Sequence, residues 1–309
     1  MIPDGAGYPA GVGIEIRPMG PADVDAAADA LLRGDWGDRR SWFAFAAAHA
    51  QCGPVVAVED GGPIVGTGVG TVNGPVGWVG TIFVAPERRR RGLGRALTDR
   101  VCDALTASGC RTLALVATTD GRPLYERMGF EVVDWYATVE RDGTGPEWPA
   151  GPWGPAGDGP TDAVDHDPAT RTIAPFRAAD IADAAALDRA ATGEDREHLL
   201  AAFAGVPGGL ALRSADGRLR AFLLRTPWGG GATIAPDPAD ARLILRARLR
   251  AAPAGHRVRA GVLASNEAGL ALLRADGWTD AWTAPRLARG AAIDAPLSAI
   301  WGQFSHGLG

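Results

Sequence analysis

The sequence predicts an α/β (α+β) protein of two domains, each a mixed, largely antiparallel sheet flanked by helices. An apolar stretch ending at Val84 runs through an arginine- and glycine-rich turn into a segment where Leu93, Leu97, Val101 and Leu105 recur every four residues. That spacing lays an apolar stripe along one face of a helix. Upstream, Asp60-Gly61 and Asn73-Gly74 separate three apolar runs, and both dipeptides favour the left-handed turns of β-hairpins. The second half then repeats the first. Ala22-Asp23-Val24 returns as Ala179-Asp180-Ile181, Asp60-Gly61 as Asp216-Gly217, Ala85-Pro86 as Ala235-Pro236, and Gly129-Phe130 as Gly277-Trp278. An ordered ladder of matches whose offset drifts only from 157 to 148 is the mark of duplication.

Taken in order, residues 14–17 alternate as a short strand that Pro18 ends, and residues 21–32 read as a helix on Val24, Ala27, Leu31 and Leu32. A second helix is expected over 39–50, where Trp42, Phe43 and Phe45 crowd together. Runs 55–58, 63–69 and 76–84 form an antiparallel meander, and Gly66, Gly68 and Gly70 thin one face of its middle strand. After the amphipathic helix, 112–116 is a short buried strand. Thr118-Thr-Asp-Gly121 leads into a helix carrying Tyr125, and an alternating strand over 130–140 is expected to close a first domain of residues 1–141. Residues 142–170 hold twelve Gly or Pro among 29, with six acidic residues and no basic one, the composition of a linker. Trp148 and Trp153 within it are candidates to dock on a domain, and residues 171–309 form the second domain.

Gly92 and Gly94 open the amphipathic helix. A glycine-rich turn at a helix start lets main-chain N–H groups converge on an anion, with the positive end of the helix dipole behind them. Its natural ligand is a phosphate or pyrophosphate. A nucleic-acid patch and a merely solvated charged turn are weaker readings of Arg88 to Arg91, since no second basic cluster and no interleaved aromatics accompany them. Leu97 stands where a dinucleotide fingerprint needs its third glycine, and no P-loop Gly-Lys follows.

Composition narrows the class. At 46% hydrophobic and 22% charged, a chain of 309 residues has enough apolar content for ordinary globular domains. The net charge of -5 argues against general nucleic-acid binding. No apolar run approaches a membrane span and no signal peptide is recognisable, so the cytoplasm is the expected compartment. Cys52, Cys102 and Cys110 lack metal-ligand spacing, and the five histidines are scattered singly, so neither a metal site nor a triad is expected.

The turn, read as Arg89-Arg-Arg-Gly92-Leu-Gly94, resembles motif A of the GNAT superfamily of acetyl-CoA-dependent N-acetyltransferases, Arg/Gln-x-x-Gly-x-Gly/Ala after a strand. Leu124-Tyr125-Glu-Arg-Met-Gly129-Phe130 resembles that family's Leu-Tyr-x-x-x-Gly-Phe box. The resemblance covers residues 55–140 and implies a GNAT fold with acetyl-CoA as cosubstrate. It implies that Arg89, Arg90, Arg91, Gly92, Leu93, Gly94 and Arg95 present amides to the CoA pyrophosphate, and that Ile82, Phe83 and Val84 pair with pantetheine. It further implies that Tyr125 protonates the departing thiolate. A phenol of pKa near ~10 is roughly matched to an alkyl thiolate. Thr118 stands where many family members have asparagine, which leaves the side-chain contact there open. The family's first two helices cover the acceptor, making Asp35, Trp36 and Phe43 candidate substrate contacts; core packing and helix capping are their ordinary alternatives. Some members carry a glutamate on the strand before the turn, whereas Trp78 to Val84 has no acid. Deprotonation is therefore expected through water or a carboxylate such as Asp35 or Glu126.

In the second copy, Gly92 and Gly94 fall opposite Arg242 and Ile244, and Tyr125 opposite Leu273. This is similar to tandem GNAT proteins with a degenerate second domain, which would wall the acceptor pocket or stabilise the first, with Arg289-Gly290 and the tail through His306 as candidates for that wall. The expected activity is transfer of an acetyl or other short acyl group to a primary amine of a small molecule or peptide, by a monomer or homodimer; a non-catalytic acyl-CoA sensor is the alternative.

Overall fold

The computed structural model describes residues 13–145 and 171–309. Most of the proposed linker, with Trp148 and Trp153, lies outside the described residues. The first half runs β1 (Ile14–Pro18), α1 (Val24–Arg33), α2 (Arg40–Ala48), β2 (Cys52–Glu59), β3 (Ile64–Asn73), β4 (Val76–Val84), α3 (Leu93–Ala107), β5 (Thr112–Val116), α4 (Arg122–Arg127) and β6 (Glu131–Asp142). The second half follows the same order: β7 (Arg171–Pro175), α5 (Ile181–Thr192), α6 (Glu197–Phe203), β8 (Leu210–Ser214), β9 (Leu219–Leu223), β10 (Thr233–Ile234), α7 (Pro238–Ala251), β11 (Arg257–Leu263), α8 (Glu267–Ala275) and β12 (Thr279–Gly290), with β13 (Ile300–Gly302) added at its end.

Both hairpin dipeptides turn as their chemistry requires, with Gly61 at φ +59° and Gly74 at φ +64°. The glycine column of β3 has a packing reason. A Cβ on Gly66 would stand 2.8 Å from Leu97, and one on Gly68 or Gly70 would stand 3.1 Å from Val101. Bare backbone thus lets α3 lie directly on the sheet, burying Leu93, Leu97, Val101 and Leu105.

The strand order departs from two self-contained sheets. An eight-stranded sheet runs β1-β2-β3-β4-β5-β12-β6-β11, and a five-stranded sheet runs β13-β10-β9-β8-β7. The expectation that residues 130–140 close the first sheet is therefore corrected. Strand β12, from the second half, lies between β5 and β6, with Arg286–Gly290 paired to Val116–Thr112 and Thr279–Ala288 to Glu140–Glu131. Strand β6 in turn pairs with β11 of the second half along Arg257–Leu263. The halves have exchanged equivalent strands. Alternation along β6 fixes which of its faces is buried but carries no information about which neighbour it bonds. An aromatic seam completes the union: Phe45 packs 5.1 Å from Phe203, Trp42 lies 5.4 Å from Trp228, and Phe203 lies 5.4 Å from Phe304 between ring centroids. One apolar core consequently runs through both halves.

Candidate active site

Strands β4 and β5 are parallel neighbours only over Val76–Trp78 and Thr112–Ala114. Beyond Trp78 they part, and the gap opens into a cleft of about 680 Å³. Val79, Gly80, Thr81 and Ile82 form one wall, and Val116, Thr118, Gly121 and Tyr125 the other. On the first wall β4 is bulged: Val69 pairs with Gly80 and Thr67 with Phe83, so Gly68 alone faces Thr81 and Ile82. Thr81 adopts φ +52°, a conformation costly for a β-branched residue. It is held from two sides, its carbonyl accepting from Thr67 Oγ1 at 2.9 Å and its Oγ1 accepting from Trp42 Nε1 at 3.0 Å.

At its far end β4 delivers the chain to the arginine-rich turn. Arg90 at φ +60° and Gly92 at φ +86° are both left-handed, and a Cβ on Gly92 would meet nothing within 4 Å. Such a turn at the start of a 15-residue helix suits a phosphate. Arg89, Arg90, Arg91 and Arg95 are exposed around it. Arg89 donates its Nε to the Val84 carbonyl at 3.0 Å, and Arg95 lies 3.5 Å from Asp99. Arg88 is tied to Glu59 through two bonds of 2.6 and 2.8 Å.

Ile82, Thr118, Tyr125, Asp35 and Trp36 are brought together on one cleft. Thr118 Oγ1 accepts from the Gly121 amide at 3.1 Å, closing the turn into α4. Burial pushes the Tyr125 phenol well above its ordinary pKa, and its hydroxyl has no hydrogen-bond partner among the described residues. It is a protonated donor facing the cleft. Phe43, expected to meet substrate, is instead wholly buried in the core; the helical spacing that puts Trp42 at the cleft turns Phe43 away. The Phe83 ring and Leu93 side chain are also buried, leaving only their main chain to a ligand. Glu126 pairs with Arg122 at 2.7 Å and is not on the cleft wall.

The second half supplies the rest of the wall, including Trp228, Arg248, Gln303 and His306. The tail crosses β4 so closely that a Cβ on Gly80 would stand 2.5 Å from Gly307 Cα. Thr71 Oγ1 donates to the Gly307 carbonyl and Asn73 Nδ2 to that of Leu308, at 2.8 and 2.7 Å. This clamps His306 beside the bulge, where its ring packs against Tyr136 and Trp282 at 5.2 Å each. Burial, with Arg39 nearby, lowers its pKa to about 4, so the imidazole is neutral near pH 7. The wall was anticipated in the tail, but Tyr136, Trp228 and Arg248 had no signal in the sequence, because strand exchange alone brings them here.

The equivalent turn in the second half differs more deeply than expected. Eight residues join β4 to α3, but only three join β10 to α7. The residue at the helix start is Asp237, whose carboxylate accepts from Ala239 N at 2.8 Å and so occupies the anion position. Arg242 and Ile244, expected to stand opposite the glycines, lie inside α7, the one bound to Asp276 at 2.5 Å and the other in the core. Because this join is the shorter of the two, the spacing between the halves set at Ala85 and Ala235 does not carry through to the helix.

Residues 23–130 match the model of the Acetyltransferase (GNAT) family. Among solved structures, the fold is similar to that of a Pyrococcus horikoshii protein assigned as an acetyltransferase, at 20% identity and TM-score 0.73 over 96% of each chain. It is also similar to a GCN5-related N-acetyltransferase from Sphaerobacter thermophilus, at 17% identity and TM-score 0.59 over 92% of this chain and 98% of that one. A tandem GNAT protein from the clavulanic acid biosynthesis pathway shares the fold at 15% identity and TM-score 0.57, over 90% and 99% of the two chains.

Proposed function

We propose that this chain, whose residues 23–130 match the model of the GNAT acetyltransferase family, is an N-acyltransferase that moves an acetyl or other short acyl group from CoA to an amine of a small molecule or peptide. The observation that carries the reading is the parting of β4 from β5 beyond Trp78, with Tyr125 on one wall of the gap and the left-handed turn at Gly92 at the end of β4. The residues present fit CoA. The Arg89–Arg95 turn would hold its phosphates, and the open edge of β4 at Ile82–Val84 would hold the pantetheine arm.

Bound there, CoA supplies a thioester whose acyl carbon is open to an amine. The amine nitrogen bonds to that carbon, the carbon–sulfur bond breaks, and one proton leaves the nitrogen while another reaches sulfur. Tyr125 delivers the second proton: its phenol faces the cleft protonated, and the burial that weakens it as an acid also raises the basicity of a thiolate released beside it. The first leaves through water in the cleft, since His306, which faces the cleft, is held near pKa 4 by burial and binds a proton too weakly at neutral pH to take it. The bulge at Thr81 turns main chain out of the ladder where an amide can hold the acyl oxygen. The first half carries the turn and the acid, and the second, without a turn of its own, walls the acceptor.

Calorimetric titration of acetyl-CoA tests the reading, with Gly92→Glu/Gly94→Glu as control. One site per chain, lost in the control, is the expected result. Absence of binding, or binding that ignores the control, overturns it.

A further inference from the structure

The cleft has a second polar centre, built around Tyr136 where the strands are exchanged. Thr138 follows Tyr136 on the same face of β6 and pairs with Gly261 of β11. The Tyr136 side chain lies over Gly261, and its hydroxyl accepts from the Gln303 amide N–H at 3.2 Å. Thr138 and Gln303 are 5% and 6% exposed, and Thr138 Oγ1 and Gln303 Oε1 have no hydrogen-bond partner among the described residues although both residues line the cleft. Buried polar atoms are rarely left so, because each unmade bond retains its desolvation cost.

Beside them stands Arg248 of α7, half-buried on the same wall. Its sole hydrogen bond to a described residue is from Nη1 to the Arg259 carbonyl, at 2.8 Å, and no carboxylate pairs with it. Desolvation and the neighbouring Arg225 guanidinium both work against its charge. An arginine does not shed its proton to escape this. Among the described residues that line the cleft, Asp35 is the one carboxylate beside Arg39, Arg248 and Arg259, and Arg259 is already paired with Glu140 at 3.3 Å. A guanidinium short of a counter-ion beside an unpaired hydroxyl is completed by an oxyanion, to which both can donate, while the Gln303 Oε1 acceptor is completed by an N–H of the same ligand.

We infer that Arg248 and Thr138 form an acceptor subsite for an oxyanion, with Gln303 Oε1 accepting from an N–H of the same molecule, so that the substrate is an amine that also carries a carboxylate or a phosphate. The inference rests on the acyl-transfer reading for its choice of acceptor, but not for the anion site itself. Because Thr138 comes from one half and Arg248 and Gln303 from the other, neither half holds the subsite alone.

The test is binding to the full chain, read by thermal shift and tryptophan fluorescence, since Trp228 and Trp282 line the cleft. The carboxylate probes are N-acetyl-L-amino acids, each beside its primary amide; the phosphate probe is O-phosphoethanolamine beside ethanolamine. One of the anions should bind and its neutral or cationic counterpart should not. Arg248→Gln should raise its Kd by about 30-fold or more, the loss expected for one partner of a buried charged pair, while leaving acetyl-CoA affinity unchanged. Arg248→Lys should restore part of the binding. Without ligand, Arg248→Gln should melt no lower than the parent, since removing a desolvated charge that lacks a counter-ion offsets the loss of its one hydrogen bond to the Arg259 carbonyl. Should that variant not fold, Thr138→Val removes one unpaired hydroxyl at nearly constant volume and should weaken the anion about fivefold. Equal binding of amides and acids, or no response to any anion, overturns the subsite. A protein that ignores acetyl-CoA yet binds the anions keeps the subsite and removes the acyl-transfer reading.

Discussion

Leu287 belongs to the second half by sequence but packs in the core of the first. It lies on β12, is 0% exposed, and stands between Leu115 of β5 and Val132 of β6. Leu287→Ala therefore removes a branched side chain from a site that β5 and β6 cannot close upon, since β12 itself keeps them apart. Large-to-small substitutions of this kind cost about 3 kcal/mol. At roughly 2–4 °C per kcal/mol for a unit of this size, the melting temperature should fall by roughly 6–12 °C. Urea unfolding, followed by tryptophan fluorescence and far-UV circular dichroism, reads the same loss. If exchanged strands make the halves one cooperative unit, both probes should shift together in a single transition. A biphasic curve in which one phase stays unmoved, or a loss below about 1 kcal/mol, would refute the claim that β12 is structural to the first half.

Tyr125→Phe removes a hydroxyl with no hydrogen-bond partner among the described residues, so stability and acetyl-CoA affinity should hold while kcat falls by about 10²-fold or more; steady-state rates beside calorimetry separate these. His306→Asn should leave kcat within about tenfold and acetyl-CoA affinity unchanged, since a base held near pKa 4 is poorly matched to an amine, and a fall of about 10²-fold or more would make it the proton acceptor after all. Gly92→Val places a β-branched residue at φ +86° and should abolish acetyl-CoA binding at a stability cost of about 1–2 kcal/mol, measured by titration and urea unfolding. Acid should also weaken the fold. His198 and His306 are held near pKa 4, His198 by burial first and then by His49, whose Nε2 lies 2.8 Å from its Nδ1. Unfolded histidine titrates near ~6.5, so below that pH the unfolded chain binds more protons than the native one. Stability from these groups is complete above that pH and should decline steadily toward pH 4, by no more than about 1.4 kcal/mol per pH unit for each histidine. A melting temperature flat between pH 6.5 and 4.5 would contradict this assignment.

Local chemistry was enough to read most elements. The hairpins at Gly61 and Gly74, the helix opened by Gly92, and the strand at 112–116 follow from dihedral freedom and apolar period, which act over a few residues. The meeting of Ile82, Thr118 and Tyr125 on one cleft was legible through motif spacing, because each sits at the end of an element whose neighbour is set by a short turn. Phe43 was misplaced because a dense aromatic run does not say which of its rings faces out. A different join before α7 was expected, but extending one offset across it hid that this join is much shorter than its counterpart and ends on Asp237.

By itself the sequence determined the type and order of the elements, their duplication, and the one turn suited to a phosphate, since propensity, period and turn geometry are local. Tertiary structure alone decided that β12 enters the first sheet, that the tail sets His306 beside Thr81, and that Arg248, Thr138 and Gln303 share a wall. Strand pairing depends on main-chain hydrogen bonds that every residue but proline offers alike, so the choice between a strand's own half and its twin is made only when the whole core closes.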